Sequence, residues 1–278
     1  MKSKQLQSFF SKHFPEQQTL VGQLISMTSV NNNLPNAVVY GVYNSGKSSL
    51  LNSLTGHVEA EYFPTRDVPE TKVAKQLEHQ GICYIDTPGL DVDEHDTAAA
   101  NSGAFKADII IFVHRLSAGP IQQPDLTAMA HLAKVHAKPE NIIVVITESE
   151  LADENKKLID DITQQVQKAI APRVQSFLVS NTMFIKGIRS GKSILINKSG
   201  IPELLQQLQE QANSLSKDLQ KERQLKTENL KKQLLEKLKQ QKNKLESKVK
   251  KNSLQQDMHE KSFVSAVQYL KDNLIKNY

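Results

Sequence analysis

The sequence is poor in cysteine and in long apolar runs, and both absences exclude classes of protein. Its one cysteine, Cys83, has no partner for an internal disulfide and falls in an apolar stretch that predicts a buried strand. This cysteine usage is typical of the cytosol. The longest apolar runs, 109–113 and 142–146, have five residues each, whereas a membrane-spanning helix needs about 20. We therefore expect no transmembrane segment.

The amino-terminal residues also lack the pattern of a secretory signal. Lys2, Lys4 and Lys12 interrupt them before an apolar stretch of sufficient length. The eight histidines show no spacing that is typical of metal ligands. These patterns predict a cytoplasmic protein, with peripheral attachment to a membrane as the alternative location.

A complete phosphate-binding motif, G-x-x-x-x-G-K-[ST], occupies residues 41–48 as GVYNSGKS. The residues before it (37–40) predict a strand and those after it (49–56) predict a helix, which is the context that the motif requires. Backbone N–H groups and the positive helix end would surround a polyphosphate. Lys47 would neutralise the β and γ phosphates, and Ser48 would be a magnesium ligand. The predicted nucleotide contacts in this loop are Asn44, Ser45, Gly46, Lys47, Ser48 and Ser49.

A second motif, Asp86-Thr87-Pro88-Gly89, follows an apolar stretch and begins 39 residues after Lys47. At a strand end, this D-x-x-G sequence lets Asp86 reach magnesium and lets the Gly89 N–H meet the γ-phosphate. A glycine that senses the third phosphate is typical of GTPases, whose loop moves on hydrolysis. The two motifs together predict a GTPase in which Lys47 and Gly89 act on the transferred phosphate.

A threonine between the two motifs is expected to complete the magnesium shell and to close over the γ-phosphate. We favour Thr71, because it directly precedes the strand that would form a hairpin with the Asp86 strand. The predicted metal ligands are then Ser48, Thr71 and Asp86. Thr65 is the alternative, but Pro69 separates it from that strand and would break a strand continued through it.

The base-recognition segment departs from the pattern of GTPases. Thr147-Glu148-Ser149-Glu150 stands where the sequence Asn/Thr-Lys-x-Asp is normal. Glu150 can accept the two guanine N–H donors in place of aspartate, and Asp153 is a second candidate. Glu148 lacks the lysine stem that stacks on the ring, so we expect weaker affinity. Ser180-Asn181 closes the last predicted strand and resembles the backbone turn that touches the base, so Thr147, Glu150 and Ser180 are the predicted base contacts.

The central region alternates predicted strands and helices, which indicates an α/β fold with a doubly wound, mostly parallel sheet. Helical spacing predicts an amino-terminal helical segment with a break at Pro15, one long helix from Pro202 to about Asn252, and a separate last helix. We divide the chain into residues 1–33, a nucleotide-binding domain at 34–213, and a helical extension at 214–278. The predicted strands are 37–40, 72–78, 82–86, 108–114, 141–147 and 176–180, and the predicted helices among them are 46–55, 123–136 and 155–170.

The positive charge of the chain is concentrated in its extension. Residues 217–252 carry 13 Lys/Arg against 5 Asp/Glu, a net of +8, while the whole chain has a net of +5. Such a segment suits an anionic membrane or the phosphates of a ribosome or another RNA. A solvated helix whose lysines keep it soluble is the alternative interpretation. The leucine spacing predicts an imperfect coiled coil.

The chain resembles the class of regulatory GTPases that includes dynamins, tRNA-modification GTPases and Era-type ribosome-assembly GTPases. The resemblance covers about residues 34–213, and helices on both sides of that domain are similar to those of dynamin-like proteins. This chain is too short for the long stalk and membrane-binding domain of a full dynamin. The segments that carry the resemblance are Leu34-Pro35, GVYNSGKSSLLNSL (41–54), DTPGL (86–90) and SGIPELL (199–205).

The resemblance implies hydrolysis of GTP to GDP and phosphate by an in-line water, with Mg²⁺ and Lys47 holding the leaving charge. Many relatives place a water-orienting glutamine where this chain has Leu90, which implies slow intrinsic turnover, raised by a homodimer or by a partner GTPase. Relatives that lack the glutamine use K⁺, held by an asparagine at the position of Asn44. Potassium-stimulated turnover is therefore an expectation.

Three functions follow from these observations. The first is a dynamin-like GTPase whose nucleotide state moves its helical extension. The second is a GTPase that associates with RNA or the ribosome through residues 217–252, where contact with the phosphate backbone is the most the composition supports. The third is a nucleotide-binding scaffold that does not hydrolyse GTP.

Overall fold

The structure is a computed structural model that describes residues 3–28, 33–42, 44–65, 75–86, 106–136 and 138–276. It contains two compact units. One unit comprises Gly22–Thr227, and the other joins Met1–Val21 to Glu228–Tyr278. The boundaries between the units fall after Val21 and after Thr227. The sequence predicts domain boundaries after residues 33 and 213, and these remain predictions.

Six strands form one sheet in the larger unit, in the spatial order β2-β3-β1-β4-β5-β6. Only β2 is antiparallel to its neighbour, β3, and the other four pairings are parallel. The mostly parallel sheet predicted from the alternating elements is therefore confirmed. The strands are β1 (Asn36–Tyr40), β2 (Gln76–His79), β3 (Ile82–Asp86), β4 (Ile109–Arg115), β5 (Ile142–Thr147) and β6 (Gln175–Val179).

Nine α-helices lie within the described residues, together with short 3₁₀ turns. Two of them, at 181–190 and 193–198, occupy a region for which the sequence analysis made no helix prediction. The helices are α1 (Ser3–His13), α2 (Gln18–Thr28), α3 (Lys47–Leu54), α4 (Gln123–His136), α5 (Lys156–Ala169), α6 (Asn181–Ser190), α7 (Ser193–Lys198), α8 (Ile201–Ser216) and α9 (Leu219–Lys276).

The sheet is covered on both faces, which is why its strands read as continuous apolar runs. Alternate residues of β1 point to opposite sides, as the two-residue period of a strand requires. Ala37 and Val39 pack in one core cluster with residues of α3 and α8. Val38 and Tyr40 pack in the other with residues of α4 and α5. This arrangement leaves the carboxyl ends of the strands free to carry the loops that hold the sequence motifs.

The carboxyl-terminal helices differ from the prediction in two places. The predicted helix from Pro202 to Asn252 breaks after Ser216, and a new helix begins at Leu219 directly after Asp218, a residue type that favours helix starts. The predicted separate last helix is wrong, because α9 continues to Lys276 without glycine or proline to end it. None of the described helices is long and apolar enough to cross a bilayer.

The first turns of α9 are held at the amino ends of β1 and β4 by a buried ion pair. Arg223 bonds both oxygens of Asp108, and each side chain is less than a tenth exposed. Arg223 Nη2 also donates to the Leu34 carbonyl at 2.8 Å. Asp108 Oδ2 accepts the backbone N–H of Asn36, the first residue of β1, at 2.9 Å. The start of the long helix is therefore a structural part of the larger unit.

Candidate nucleotide-binding site

The phosphate-binding motif lies between the end of β1 and the start of α3, as its sequence context predicts. Gly41 has φ of +152°, and its Cα lies so close to β4 that an added Cβ would be 2.3 Å from the Val113 carbonyl oxygen. Gly46 has φ of +92° and caps the amino end of α3. Only glycine can adopt this backbone conformation at position 41 and also approach the Val113 carbonyl so closely. The close approach fixes the loop against the sheet, with the start of α3 directed toward the loop.

Lys47 is the first residue of α3, and its side chain turns back along the loop. Its Nζ donates to the carbonyl oxygens of Gly41 at 3.0 Å and Val42 at 2.8 Å. Ser45 lies in the same loop and is 1% exposed, and its Oγ has no hydrogen-bond partner within the described residues. Buried polar atoms of proteins nearly always have a partner, so this hydroxyl is suited to a polar ligand in the loop.

The residues of the two motifs meet at Ser48 and Asp86. Ser48 Oγ donates to Asp86 Oδ2 at 3.2 Å, although 38 positions separate them in the sequence. Asp86 Oδ1 is buried and has no hydrogen-bond partner among the described residues. Burial raises the pKa of the Asp86 carboxyl, whereas the Ser48 hydrogen bond and the charges of Lys47 and Lys75 lower it.

This donor set fits Mg²⁺. Magnesium prefers oxygen ligands and is usually held by one or two protein oxygens together with waters and substrate phosphates. The Ser48 hydroxyl and the Asp86 carboxylate provide such oxygens beside the phosphate loop. Within the described ranges there is no cluster of three or more His, Cys, Asp or Glu suited to a metal. Ser48 and Asp86 would hold the ion together with the nucleotide.

The predicted residues Thr71 and Gly89, and also Leu90, lie outside the described residues. The alternative switch residue, Thr65, is described and exposed. Its Oγ1 is 2.8 Å and its backbone N 3.2 Å from the Glu61 carboxylate. The Thr65 hydroxyl is thus engaged by a neighbour four residues away. Thr71 stays the preferred candidate, as a prediction.

At the other end of the site, Thr147 ends β5 against the phosphate loop. It is buried, and its Oγ1 donates to the Ser45 carbonyl oxygen at 3.2 Å. Glu148 follows with φ of +67°, and its carboxylate accepts the Ser117 N–H at 2.9 Å and lies 3.9 Å from Arg115 Nε. The glutamate that replaces the stacking lysine therefore ties the base loop to the loop after β4.

Glu150 is exposed in the 3₁₀ turn Ser149–Leu151, directly beyond the loop that Glu148 holds. Ser180 is fully buried, and its Oγ accepts the Met183 N–H at 3.0 Å to cap α6. Its own N–H donates to the Ser199 carbonyl oxygen at 2.8 Å. The Ser180 hydroxyl and backbone N–H are thus engaged in the fold, and the base contact predicted for this residue stays a prediction.

Two side chains near the site make contacts that the sequence analysis did not predict. Asn181 Oδ1 accepts the Ser53 hydroxyl at 3.1 Å and joins α6 to α3. Asn52, on α3, is 4% exposed and bonds three backbone groups of Tyr62 and Phe63. A polar residue at a buried helical position was the available signal for Asn52, because such a residue must find internal partners.

The comparisons with known proteins agree with this geometry. Residues 36–172 match the protein family described as 50S ribosome-binding GTPase. The sheet order, the phosphate loop and this match define the region as a G domain of the P-loop GTPase class. The resemblance predicted from the two motifs is confirmed at that level.

Three curated proteins illustrate the similarity. The chain is 31% identical over 184 residues to an uncharacterized protein of Acinetobacter baylyi, which covers 63% of this chain and 42% of that protein. It is 28% identical over 144 residues to the GTPase Der of Persephonella marina, covering 48% and 31% of the two chains. It is 21% identical over 168 residues to the tRNA modification GTPase MnmE of Salinibacter ruber, covering 57% and 36%. The chain spans less than half the length of these relatives.

Two solved structures share the fold. The LeoA bacterial dynamin GTPase from ETEC has a TM-score of 0.53 at 14% identity, over 84% of this chain and 46% of that one. A chain of an oligomerised bacterial dynamin pair has a TM-score of 0.50 at 17% identity, over 99% of this chain and 52% of that one. At these identities the likeness concerns the fold alone.

Proposed function

We propose that the protein binds GTP with Mg²⁺ and hydrolyses it to GDP and phosphate. The observation that carries this proposal is the contact between Ser48 and Asp86, which brings the two motifs together beside Lys47. Magnesium would neutralise charge on the β and γ phosphates when it is bound. Lys47 would hold the same phosphates, and the buried Ser45 hydroxyl would donate to a phosphate oxygen.

Guanine is the base that we propose, with Glu150 as the acceptor for its N–H donors. Thr147 and Glu148 fix the loop that carries Glu150, the first through the phosphate loop and the second through Ser117. We expect Glu150 to discriminate against adenine. The affinity for the nucleotide should nevertheless be low, because Glu148 cannot stack on the base as a lysine does. Replacing Glu150 by Gln places an N–H donor against the guanine donors and should weaken GTP binding about tenfold or more, a loss typical of a mismatched polar contact.

We further propose that turnover is slow in the isolated chain and is raised by self-association or by a partner, as in dynamin-like GTPases. Asn44 is exposed in the phosphate loop with φ of +58°, so its side chain is available to help hold a potassium ion. Potassium is thus expected to stimulate the rate, and equal rates in sodium and potassium would remove this part of the proposal. The nucleotide state would reach the helical extension through the larger unit, in which Arg223 anchors α9.

The test is GTP turnover per molecule at rising protein concentration in potassium buffer, with Lys47→Ala as the inactive control and ATP as competitor. We expect turnover per molecule to climb with concentration, to be lost in the variant, and to resist excess ATP. A flat rate near zero with retained GTP binding would favour the scaffold function instead. Inhibition by ATP as strong as by unlabelled GTP would contradict the guanine assignment.

A ribosome- or RNA-associated GTPase is the second candidate. The matched family is described as ribosome-binding, and residues 217–252 supply a net charge of +8. Co-sedimentation with ribosomes that falls steeply with salt would favour it, because phosphate contacts release counterions. Sedimentation with anionic vesicles would favour membrane attachment. Nucleotide hydrolysis is shared by both candidates, so these binding assays separate them.

A further inference from the structure

The smaller unit contains an apolar groove that GTP hydrolysis does not use. It lies between Phe14, just after α1, and the middle of α9. Its volume is about 590 Å³, within the range of clefts that bind ligands. The residues that line it are Phe14, Leu238, Lys242, Leu245, Glu246, Val249 and Lys250.

The apolar floor of the groove is open to solvent. Leu245 is 52% exposed and Val249 is 68% exposed. The Phe14 ring that forms the opposite wall is supported by Phe10 and Phe9, with centroids 5.5 and 6.0 Å away. Contiguous exposed apolar surface marks interaction sites, and packed aromatic side chains are frequent anchors in them.

The groove has the dimensions of a helix-binding site. Leu234, Leu238, Leu245 and Val249 follow each other at spacings of four, seven and four residues, which places them on one face of α9. This stripe is roughly 24 Å long at 1.5 Å per residue. An apolar stripe of this length, with the Phe14 ring on its other side, can receive an amphipathic helix of four to five turns.

The charges around the groove specify what that helix should carry. Residues 228–252 contain nine lysines and three glutamates, a net of +6. Lys237, Lys244 and Lys248 border the groove on the side of Glu16, while Lys242 and Lys250 lie in its wall. One of the three glutamates, Glu246, lies in the same wall and is 3.6 Å from Lys242. A cationic rim attracts acidic side chains and repels basic ones.

We propose that this groove docks an amphipathic helix of another protein, with its apolar stripe on Leu238, Leu245 and Val249 and with Asp and Glu on both flanks. A second copy of the chain would bring the same net charge of +6 to the contact, which disfavours self-association through this face. A flat anionic membrane would meet the lysines without filling the groove. The proposal concerns a surface of the smaller unit and does not rest on nucleotide hydrolysis.

The first experiment is fluorescence anisotropy of the full chain with two labelled synthetic helices of about 21 residues. Both helices carry leucine at heptad a and d positions. One has glutamate on the flanks, and the other has lysine. We expect saturable binding of the acidic helix, weakened by salt, and at least about tenfold weaker binding of the basic one. Equal binding of the two helices, or binding of neither, would overturn the proposal.

Variants locate the contact on the protein. Leu245→Glu should reduce binding of the acidic helix about tenfold or more. Leu254→Glu is the matched control, because Leu254 is similarly exposed at 54% but lies nine residues further along α9 and hence on its opposite face. The control should change binding less than about twofold. Equal losses in the two variants would show that the groove is not the site.

A charge exchange provides an independent readout. The double variant Lys244→Glu/Lys248→Glu should lose affinity for the acidic helix and gain affinity for the basic one, since both positions are exposed on the rim. Sedimentation velocity and anionic phosphatidylserine vesicles complete the test. A dimer that Leu245→Glu dissociates, or vesicle binding that only Leu245→Glu abolishes, would assign the groove to another occupant and refute the proposal.

Discussion

Asn52 connects the phosphate-loop helix α3 to the loop that contains Tyr62 and Phe63. Its carboxamide accepts from the N–H groups of Tyr62 and Phe63 and donates to the Phe63 carbonyl at 2.7 Å, while Phe63 itself is fully buried in the core. Removing a side chain that satisfies three backbone groups leaves buried donors and an acceptor unpaired, a cost of about 1–3 kcal/mol.

We therefore expect Asn52→Ala to lower the free energy of unfolding by about 2–3 kcal/mol, as measured by urea denaturation. Asn155→Ala is the control, because the Asn155 side chain makes one hydrogen bond, to the Leu151 carbonyl, at a half-buried position. The control should cost about 1 kcal/mol or less. Equal losses would mean that the loop does not depend on the Asn52 carboxamide.

At the residue scale, we expect His114 to make the stability of the folded protein depend on pH. It is 3% exposed at the end of β4, and its Nε2 is 2.8 Å from the Gly119 carbonyl oxygen. Burial lowers the pKa of His114, while the bond to Gly119 and the charge of Asp125 raise it less strongly. Below the ordinary histidine pKa, the unfolded chain therefore binds a proton that the native protein resists, and stability falls as the pH falls.

We expect the free energy of unfolding to be lower near pH 5.5 than near pH 7.5, and we expect this difference to shrink in His114→Gln. Glutamine retains an N–H donor for the Gly119 carbonyl and does not titrate. Urea denaturation of both proteins at the two pH values measures the effect. An unchanged difference in the variant would show that other groups cause the pH dependence.

At the scale of elements, the sequence predicted those whose signals are local. The strand before the phosphate loop, the helix after it and the helix 123–136 all agree with the predictions within one residue. Helix α6 was missed because Ser180-Asn181 was interpreted as a base-contacting turn, whereas the Ser180 hydroxyl caps the helix. The ion pair between Arg223 and Asp108 joins residues 115 positions apart, and no periodicity indicates such a partner.

Variants of the ion pair between Arg223 and Asp108 can test whether it anchors the start of α9. Breaking a buried ion pair by removing one partner typically costs about 3–5 kcal/mol, because the other charge stays buried and uncompensated. We expect Arg223→Met to be destabilised by that amount. The double variant Arg223→Met/Asp108→Asn should recover most of the loss, since asparagine is neutral and can still accept the Asn36 N–H.

Urea denaturation of the single and double variants measures this coupling. Arg189→Met is the comparison, because Arg189 and Glu59 form an exposed pair, with side chains 58% and 70% exposed. An exposed pair contributes about 0–1 kcal/mol. Failure of the double variant to recover stability would show that the uncompensated charge of Asp108 does not cause the loss.

At the scale of the whole molecule, the phosphate site and the surface of the extension were predictable to different degrees. The contact between Ser48 and Asp86 follows from two motifs, since both chain segments end at the same edge of a parallel sheet. The groove beside Phe14 depends on the pairing of the two ends of the chain, which leucine spacing along a single helix does not specify. Local sequence therefore predicted the chemistry of the molecule better than its docking surfaces.

Nucleotide binding should be visible in the stability of the whole chain. A ligand that binds only the folded state stabilises it by about 2.7 kcal/mol at one hundred times its Kd, so GDP with Mg²⁺ should raise the melting temperature. The effect should fall when EDTA removes the metal, and Asp86→Asn should reduce its dependence on Mg²⁺ because it weakens an oxygen ligand. Lys47→Ala should show little stabilisation with or without metal. If EDTA leaves the rise in melting temperature unchanged in the wild-type protein, Ser48 and Asp86 do not hold magnesium with the nucleotide. A rise that persists in Lys47→Ala would place the ligand away from the phosphate loop.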